Sequence, residues 1–139
     1  MTVLMAFVNR EGGLLLNTSN KTELALGYGT LYGDLAGALC VPGDVHKPDV
    51  YALARFINRD REIIPRFAIE RPPSAVLRPG QVDPFDYDAV ASRIESLLGS
   101  CRSDPVLRRS EHKRRQAGVI LSVSETSFGT FRFVPITRG

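Results

Sequence analysis

The sequence predicts an α/β fold, and an incomplete one. Leu14-Leu15-Leu16 is a short continuous apolar run, the pattern of a buried parallel strand rather than of an alternating surface strand. Segments 47–59 and 87–98 carry apolar residues at helical spacing and supply helices for such a strand to pack against. A parallel strand needs parallel neighbours reached through helical crossovers, yet only one strand of this kind is evident. The rest of the sheet comes either from the tail or from a larger α/β domain of which this chain is the back half.

In chain order, TVLMAFVN reads as the end of a helix or as another strand, and Gly12-Gly13 break it. After the leucines, TSNKTE places Asn20 and Glu23 at the three-residue spacing of a helix capping pair, with Ser19 and Thr22 a weaker version. In KPDVYALARFINR, Pro48 suits the first helical turn, and Val50, Leu53, Ala54 and Ile57 share one face. A second helix covers 87–98, with Val90, Ile94, Leu97 and Leu98 inward and Asp86 and Asp88 near its start, where acids suit the dipole. Between these helices, the prolines from Pro65 through Pro72-Pro73 and Pro79 to Pro84 leave little room for regular helix. A third helix runs from Asp104 into Lys113-Arg114-Arg115. The tail segments GVILSV and FGTFRFVPI read as short strands or extended coil.

A length of 139 residues suits one domain, and 43% hydrophobic with 24% charged residues is the composition of a soluble folded protein. No apolar run approaches the roughly 18 residues of a membrane span, and no signal-peptide pattern follows Met1. Cys40 and Cys101 are far apart and make no disulfide framework, so the expected compartment is the cytoplasm, with no membrane partner. His46 and His112 stand singly, and no Cys or His lies at zinc-ligand spacing. Residues 101–139 carry eight basic and three acidic side chains against ten and twelve in residues 1–100, so the positive field sits in the tail. Such a field meets nucleic acid, an anionic small molecule or nothing but water. Nucleic acid is not expected, because neither an aromatic-interleaved basic strand nor a recognition-helix pattern is present.

The polar residues admit two readings each. Asn20 caps a helix with Glu23 folded back on its first turn; alternatively, hydroxyls and amides at a helix start beyond a parallel strand face an anion or nucleotide, and Glu23 holds Mg²⁺. The stretch contains neither GxxxxGK[ST] nor GxGxxG. Asp34 is a turn residue or an acceptor for ribose hydroxyls. Lys47, at a helix start where a cation opposes the dipole, extends into solvent or meets a phosphate. Ser74, after two prolines, is a linker hydroxyl or a phosphate donor. Lys113-Arg114-Arg115 is a solvated face or an arm closing over a negatively charged substrate. No pair resembles Ser/His/Asp or Cys/His machinery, so a metal-assisted reaction is the better enzyme reading.

The stretch GGLLLNTSNKTELALGYGTLYGDLAGAL resembles the central segment of NAD synthetases, especially the glutamine-dependent type. The resemblance continues in family order through GDVHKPDVYALARFIN, RPPSAVLRPGQVD, SEHKRRQ and SFGTFRFVPI, and covers nearly the whole chain. It implies a partial adenine-nucleotide alpha-hydrolase-like, Rossmann-like three-layer fold, with residues 1–139 the carboxy-terminal portion of one synthetase domain and 108–139 its basic closing segment and tail. It also implies a reaction: ATP and Mg²⁺ adenylate the carboxyl group of nicotinic acid adenine dinucleotide (deamido-NAD), and ammonia, free or derived from glutamine, displaces AMP to give NAD. By the resemblance, Thr18, Lys47 and Ser74 contact ATP phosphates and Glu23 is a Mg²⁺ ligand. Tyr32 and Asp34 line the deamido-dinucleotide pocket, and His112, Lys113 and Arg114 form the basic motif of a mobile closing segment.

Several features depart from that pattern. The family's Ser-Gly-Gly-x-Asp-Ser pyrophosphate loop and the amino-terminal strands are absent from this sequence, as is a glutamine-hydrolysing domain. Pro84 stands where a glutamate is usual, and Gly118 where a proline is common. The expectation is therefore a truncated product, a separately encoded half or an extracted piece, inactive alone. Its expected partners are a second copy, as in homodimeric relatives, or a complementing amino-terminal half.

Overall fold

The computed structural model, which describes residues 1–99 and 104–128, is built around three short parallel strands. These are β1 (Leu16–Asn17), β2 (Leu39–Cys40) and β3 (Val119–Ile120), in the spatial order β1-β2-β3. Leu16 lies opposite Leu39, Leu39 opposite Val119, and Cys40 opposite Ile120. The helices are α1 (Thr2–Glu11), α2 (Lys21–Leu26), α3 (Lys47–Ile57), α4 (Arg66–Glu70), α5 (Tyr87–Gly99) and α6 (Pro105–Arg114), and a 3₁₀ turn at Arg115–Ala117 leads into β3. The expected α/β class with a parallel sheet is what the chain forms.

Local chemistry explains where these elements start. Asn20 and Glu23 make a complete capping box: Glu23 N–H donates to Asn20 Oδ1 at 3.0 Å, and Asn20 N–H donates to Glu23 Oε2 at 2.9 Å. Asp104 caps α6 by accepting from the backbone of Val106 at 2.8 Å and Leu107 at 3.2 Å, and Pro105 fills the first helical position. Gly27 ends α2 in the left-handed conformation, and a Cβ there would stand 2.8 Å from Ser110 Cβ of α6. Gly118 has φ 79°, and a Cβ would lie 2.5 Å from the carbonyl oxygens of Gly37 and Ala38. Proline, fixed near φ −65°, cannot adopt that backbone, so the glycine here is a requirement of how β3 meets β2.

Two apolar clusters form the core. Leu24, Leu35, Cys40 and Ala117 make one; Ala25, Ile94 and Leu98 make the other, with Val90 and Leu107 against it. Phe128 packs on both. α2 packs on α5 and α6, and α3 packs on α5 and α4. The inward positions expected for the helix at 87–98 are correct at Ile94 and Leu98, which are buried, and at Val90 and Leu97, which are partly so.

Other expectations need correction. The leucine run is not a buried strand: only Leu16 of the three is in β1, and Leu14 and Leu16 are 69% and 54% exposed. Among the described residues β1 pairs with β2 alone, so its outer side has nothing to cover it. On α3 the expected apolar face is half bare, with Leu53 and Ile57 exposed and Val50 and Ala54 partly buried. The proline-rich connector does hold a helix, the five-residue α4, because Pro65 precedes it and its interior is free of proline. TVLMAFVN is helical, as α1, and buries no residue. Cys101 and the part of FGTFRFVPI beyond Phe128 lie outside the described residues.

Candidate functional site

β1 and β2 are adjacent parallel strands, and each is followed by a helix, α2 and α3 respectively. The two helix starts therefore lie beyond the carboxyl ends of neighbouring parallel strands, where open α/β sheets place their ligands. Thr18 is exposed directly after β1, Glu23 is in the first turn of α2, and Lys47 begins α3.

Glu23 and Lys47 are within electrostatic reach of each other, together with Asp83, which was not singled out from the sequence. Burial pushes the Glu23 carboxyl above its usual range and Asp83 pushes it further, while the Asn20 amide and Lys47 pull the other way. Asp83 is the hub of this cluster. It accepts the Tyr28 hydroxyl at 2.9 Å on one oxygen and the Tyr87 hydroxyl at 2.7 Å on the other. Phe85 stands edge-on between the two tyrosines, with ring centroids at 5.1 and 4.8 Å. Both phenols are held above their ordinary pKa, Tyr28 mainly by its bond to Asp83 and Tyr87 mainly by burial. They are therefore hydrogen-bond donors at neutral pH. An open cleft of about 420 Å³ adjoins, lined by Pro48, Tyr51, Arg55, Pro73, Tyr87 and Asp88. Lys47 Nζ and Arg55 lie 5.6 and 6.0 Å from the Tyr51 ring centre, so two cations and an aromatic ring edge this side of the cleft.

Ser74 accepts the Val76 N–H at 3.0 Å in a local turn, and its neighbour Pro73 accepts the Asp83 N–H at 2.9 Å, which joins that connector to the cluster. Tyr32 is exposed, with φ 58°, and its backbone N–H donates to Gln116 Oε1 at 2.5 Å. Asp34 accepts the Thr30 N–H at 2.8 Å and is exposed. His112 is exposed at the end of α6. Lys113 Nζ donates to the carbonyls of Gly27 and Gly29, both at 2.8 Å, and Arg114 donates to the carbonyls of Leu24 at 3.3 Å and Leu107 at 2.5 Å while lying 4.9 Å over the Phe128 ring. These two cations sit at the carboxyl end of α2, where they complement its dipole. They would reach a ligand only by leaving those carbonyls.

As a metal site the cluster fits an ion in part. Magnesium asks for a near-octahedral set of oxygens and shares them between protein and phosphate. Glu23 offers a desolvated carboxylate with one oxygen taken by Asn20, and both Asp83 oxygens are taken by phenols. Among the described residues no three His, Cys, Asp or Glu side chains converge on one point. Glu23 thus fits as one ligand of a set completed by ligand oxygens, water or further protein.

Sequence reasoning missed Asp83 and its tyrosines, and also a charge network in which buried Lys21, Asp44 and His46 meet the partly exposed Glu95. Asp83, quoted only within GQVD, carried no periodic or spacing signal. Lys21 did carry one: a lysine in the first turn of a helix opposes the dipole and calls for carboxylates. Among the described residues no helix is long and apolar enough to cross a membrane.

Comparison with known proteins fits this arrangement. A family described as NAD synthase matches residues 1–127. The chain is 40% identical to the glutamine-dependent NAD(+) synthetase of Synechocystis over 159 residues, taking in 98% of this chain and 28% of the relative. That alignment is longer than the 139-residue chain, so the relative has residues within it that this chain lacks. An NH(3)-dependent NAD(+) synthetase of Trichlorobacter lovleyi is 45% identical over 98 residues, 70% of this chain and 34% of the relative. Among solved structures, the fold is that of the NMN synthetase from Francisella tularensis, with TM-score 0.63 at 23% identity over 88% of this chain and 51% of that one. The glutamine-dependent NAD+ synthetase from Acinetobacter baumannii in complex with ADP gives TM-score 0.50 at 29% identity over 97% of this chain and 27% of that one. With its parallel strands, its capped helix starts and a match along most of its length, the chain belongs to the NAD synthase family.

Proposed function

We propose that this chain is a nucleotide-facing, subunit-binding module of a NAD synthetase, without turnover of its own. The observation that carries the reading is the placement of Glu23 and Lys47 in the first turns of the helices that follow adjacent parallel strands, beside a sheet edge with no partner among the described residues. In this reading β1, β2 and the starts of α2 and α3 are one wall of a nucleotide crevice, and no strand pairs with the other side of β1 among the described residues.

A second reading is favoured by the family match: the chain takes part, within a larger or split enzyme, in the ATP-dependent amidation of deamido-NAD to NAD through an acyl-adenylate. In that site Thr18, Lys47 and Ser74 hold ATP phosphates, and Glu23 holds Mg²⁺, which neutralises polyphosphate charge when bound. Lys47 does the same from the start of α3, so the deamido-NAD carboxylate attacks the α-phosphorus against less repulsion, and pyrophosphate leaves as the α–β phosphoanhydride bond breaks. Tyr32 and Asp34 line the dinucleotide pocket. His112 is the exposed member of the basic motif, and Lys113 and Arg114 join it only when α6 releases the end of α2. Ammonia then displaces AMP. The cytoplasm is the compartment of this reading, and a second copy or the complementing portion of the domain is its partner.

Incubating the purified chain with ATP, Mg²⁺, deamido-NAD and ammonia is expected to give no NAD. Turnover proportional to the concentration of the chain alone would overturn the first reading. Turnover that appears only on adding the remaining part of a synthetase domain supports the second.

A further inference from the structure

Lys21 is fully buried in the first turn of α2. Its Nζ lies 3.1 Å from Asp44 Oδ1 and 2.5 Å from Glu95 Oε1, and 2.9 and 3.3 Å from the hydroxyls of Ser124 and Thr126. Glu95 also contacts His46 Nε2 at 2.7 Å and accepts the Thr126 hydroxyl, and His46 Nδ1 is 3.0 Å from the Thr22 hydroxyl. Asp44 accepts the N–H groups of Val123 and Ser124, both at 2.7 Å, and the Ser124 hydroxyl at 2.9 Å. Four segments meet here: the first turn of α2, the loop before α3, the middle of α5, and residues 121–126 after β3.

The candidate site is built on the same segments. Lys21 stands two residues before Glu23, and His46 immediately precedes Lys47. A buried ion network is a poor way to gain stability, because well-packed apolar residues serve as well or better. What it supplies is geometry. Removing Lys21 takes the cation from Asp44 and Glu95, and removing the charge of Glu95 weakens its contacts to Lys21, His46 and Thr126, so either change loosens the join between these segments.

We propose that Lys21, Asp44, His46 and Glu95 are positioning residues that fix Glu23 and Lys47 relative to each other, with Ser124 and Thr126 latching residues 121–126 onto the same network. The inference rests on the reading of Glu23 and Lys47 as nucleotide-facing, and its test separates the two.

Glu95→Gln in the full chain keeps the shape and one acceptor oxygen while removing the charge. Magnesium-ATP binding is measured by calorimetry for the wild-type chain, Glu95→Gln, Lys47→Ala and the double variant. Glu95→Gln is expected to keep its circular dichroism spectrum and to weaken binding by about tenfold, and Lys47→Ala is expected to lose far less in the Glu95→Gln background than in the wild type. Additive losses would overturn the proposal, since a merely structural role leaves the contribution of Lys47 intact. Failure of the wild-type chain to bind magnesium-ATP would sink the nucleotide-facing reading alone. Positioning is then decided by amide exchange: the Glu23 N–H, bonded to Asn20, should exchange about tenfold faster in Glu95→Gln, and an unchanged rate would overturn it. Should Glu95→Gln not fold, Ser124→Ala, which removes one hydroxyl contact each to Lys21 and Asp44, takes its place in both measurements with the same expected and contrary results.

Discussion

The two flanks of this chain differ in how they end. On one, α2, α5 and α6 close over Ala25, Ile94 and Leu98, and the charges beneath them are fully partnered. Towards the amino terminus, α1 buries nothing, Leu14 and Leu16 are exposed, and among the described residues β1 pairs on one side only. α1, with six apolar residues in ten, is no less apolar than α5, with seven in thirteen, so composition does not separate these two helices. What separates them is a partner: an apolar face is stable only when another layer covers it. The bare flank, with its parallel edge and apolar helix, has the form of a surface built to be covered.

The largest expected effect is at Lys21. Lys21→Met leaves Asp44 buried without its cation and is expected to cost about 3–5 kcal/mol, enough to unfold much of the chain, read by circular dichroism in urea. Next comes a paired test across the flanks. Ile94→Ala should lose about 2–5 kcal/mol through the cavity it leaves, whereas Phe7→Ala in α1 should stay within about 0.5 kcal/mol. Equal losses would mean that α1 is covered in solution by something else.

A smaller effect sharpens the chemistry. Burial raises the pKa of Glu95, but hydrogen bonds from Lys21, Thr126 and His46 outweigh it and hold the carboxyl at about 2, below its ordinary 4.5. The stability it contributes is therefore present above pH 4.5 and lost as pH falls through that window toward 2. Glu23 is shifted upward, mainly by burial, so its ionisation costs stability as pH rises through its folded pKa. Urea midpoints against pH should show a shallower acid limb in Glu95→Gln, the rest coming from Asp44 and Glu111, and in Glu23→Gln the decline above pH 4.5 should flatten. Reversed assignments would contradict the two environments.

Much of this was legible in the sequence, and the limits have physical reasons. The capping pair Asn20–Glu23, the helix ending at the basic residues and the inward faces of Ile94 and Leu98 follow from local spacing, and local rules decide them. The leucine run misled because a continuous apolar strand is buried only when strands flank it on both sides, a property of the neighbours. Lys113 and Arg114 read as a solvated face or a closing arm, yet their cations end on α2 carbonyls, because a helix terminus some 84 to 90 residues away in the chain supplies the acceptors. Asp83 was invisible as chemistry because its phenol partners, Tyr28 and Tyr87, come from different elements and meet only in the fold.

In the proposed function, the rest of a synthetase domain completes the site by covering α1 and the open edge of β1. Amide hydrogen exchange of the chain, alone and mixed with the remaining part of the synthetase domain of the Synechocystis relative, tests it most directly. Slowed exchange in α1 and at residues 14–17, with little change in α5 and α6, is the expected result. Exchange that stays the same at α1 and β1, or slows only across α5 and α6, would contradict it.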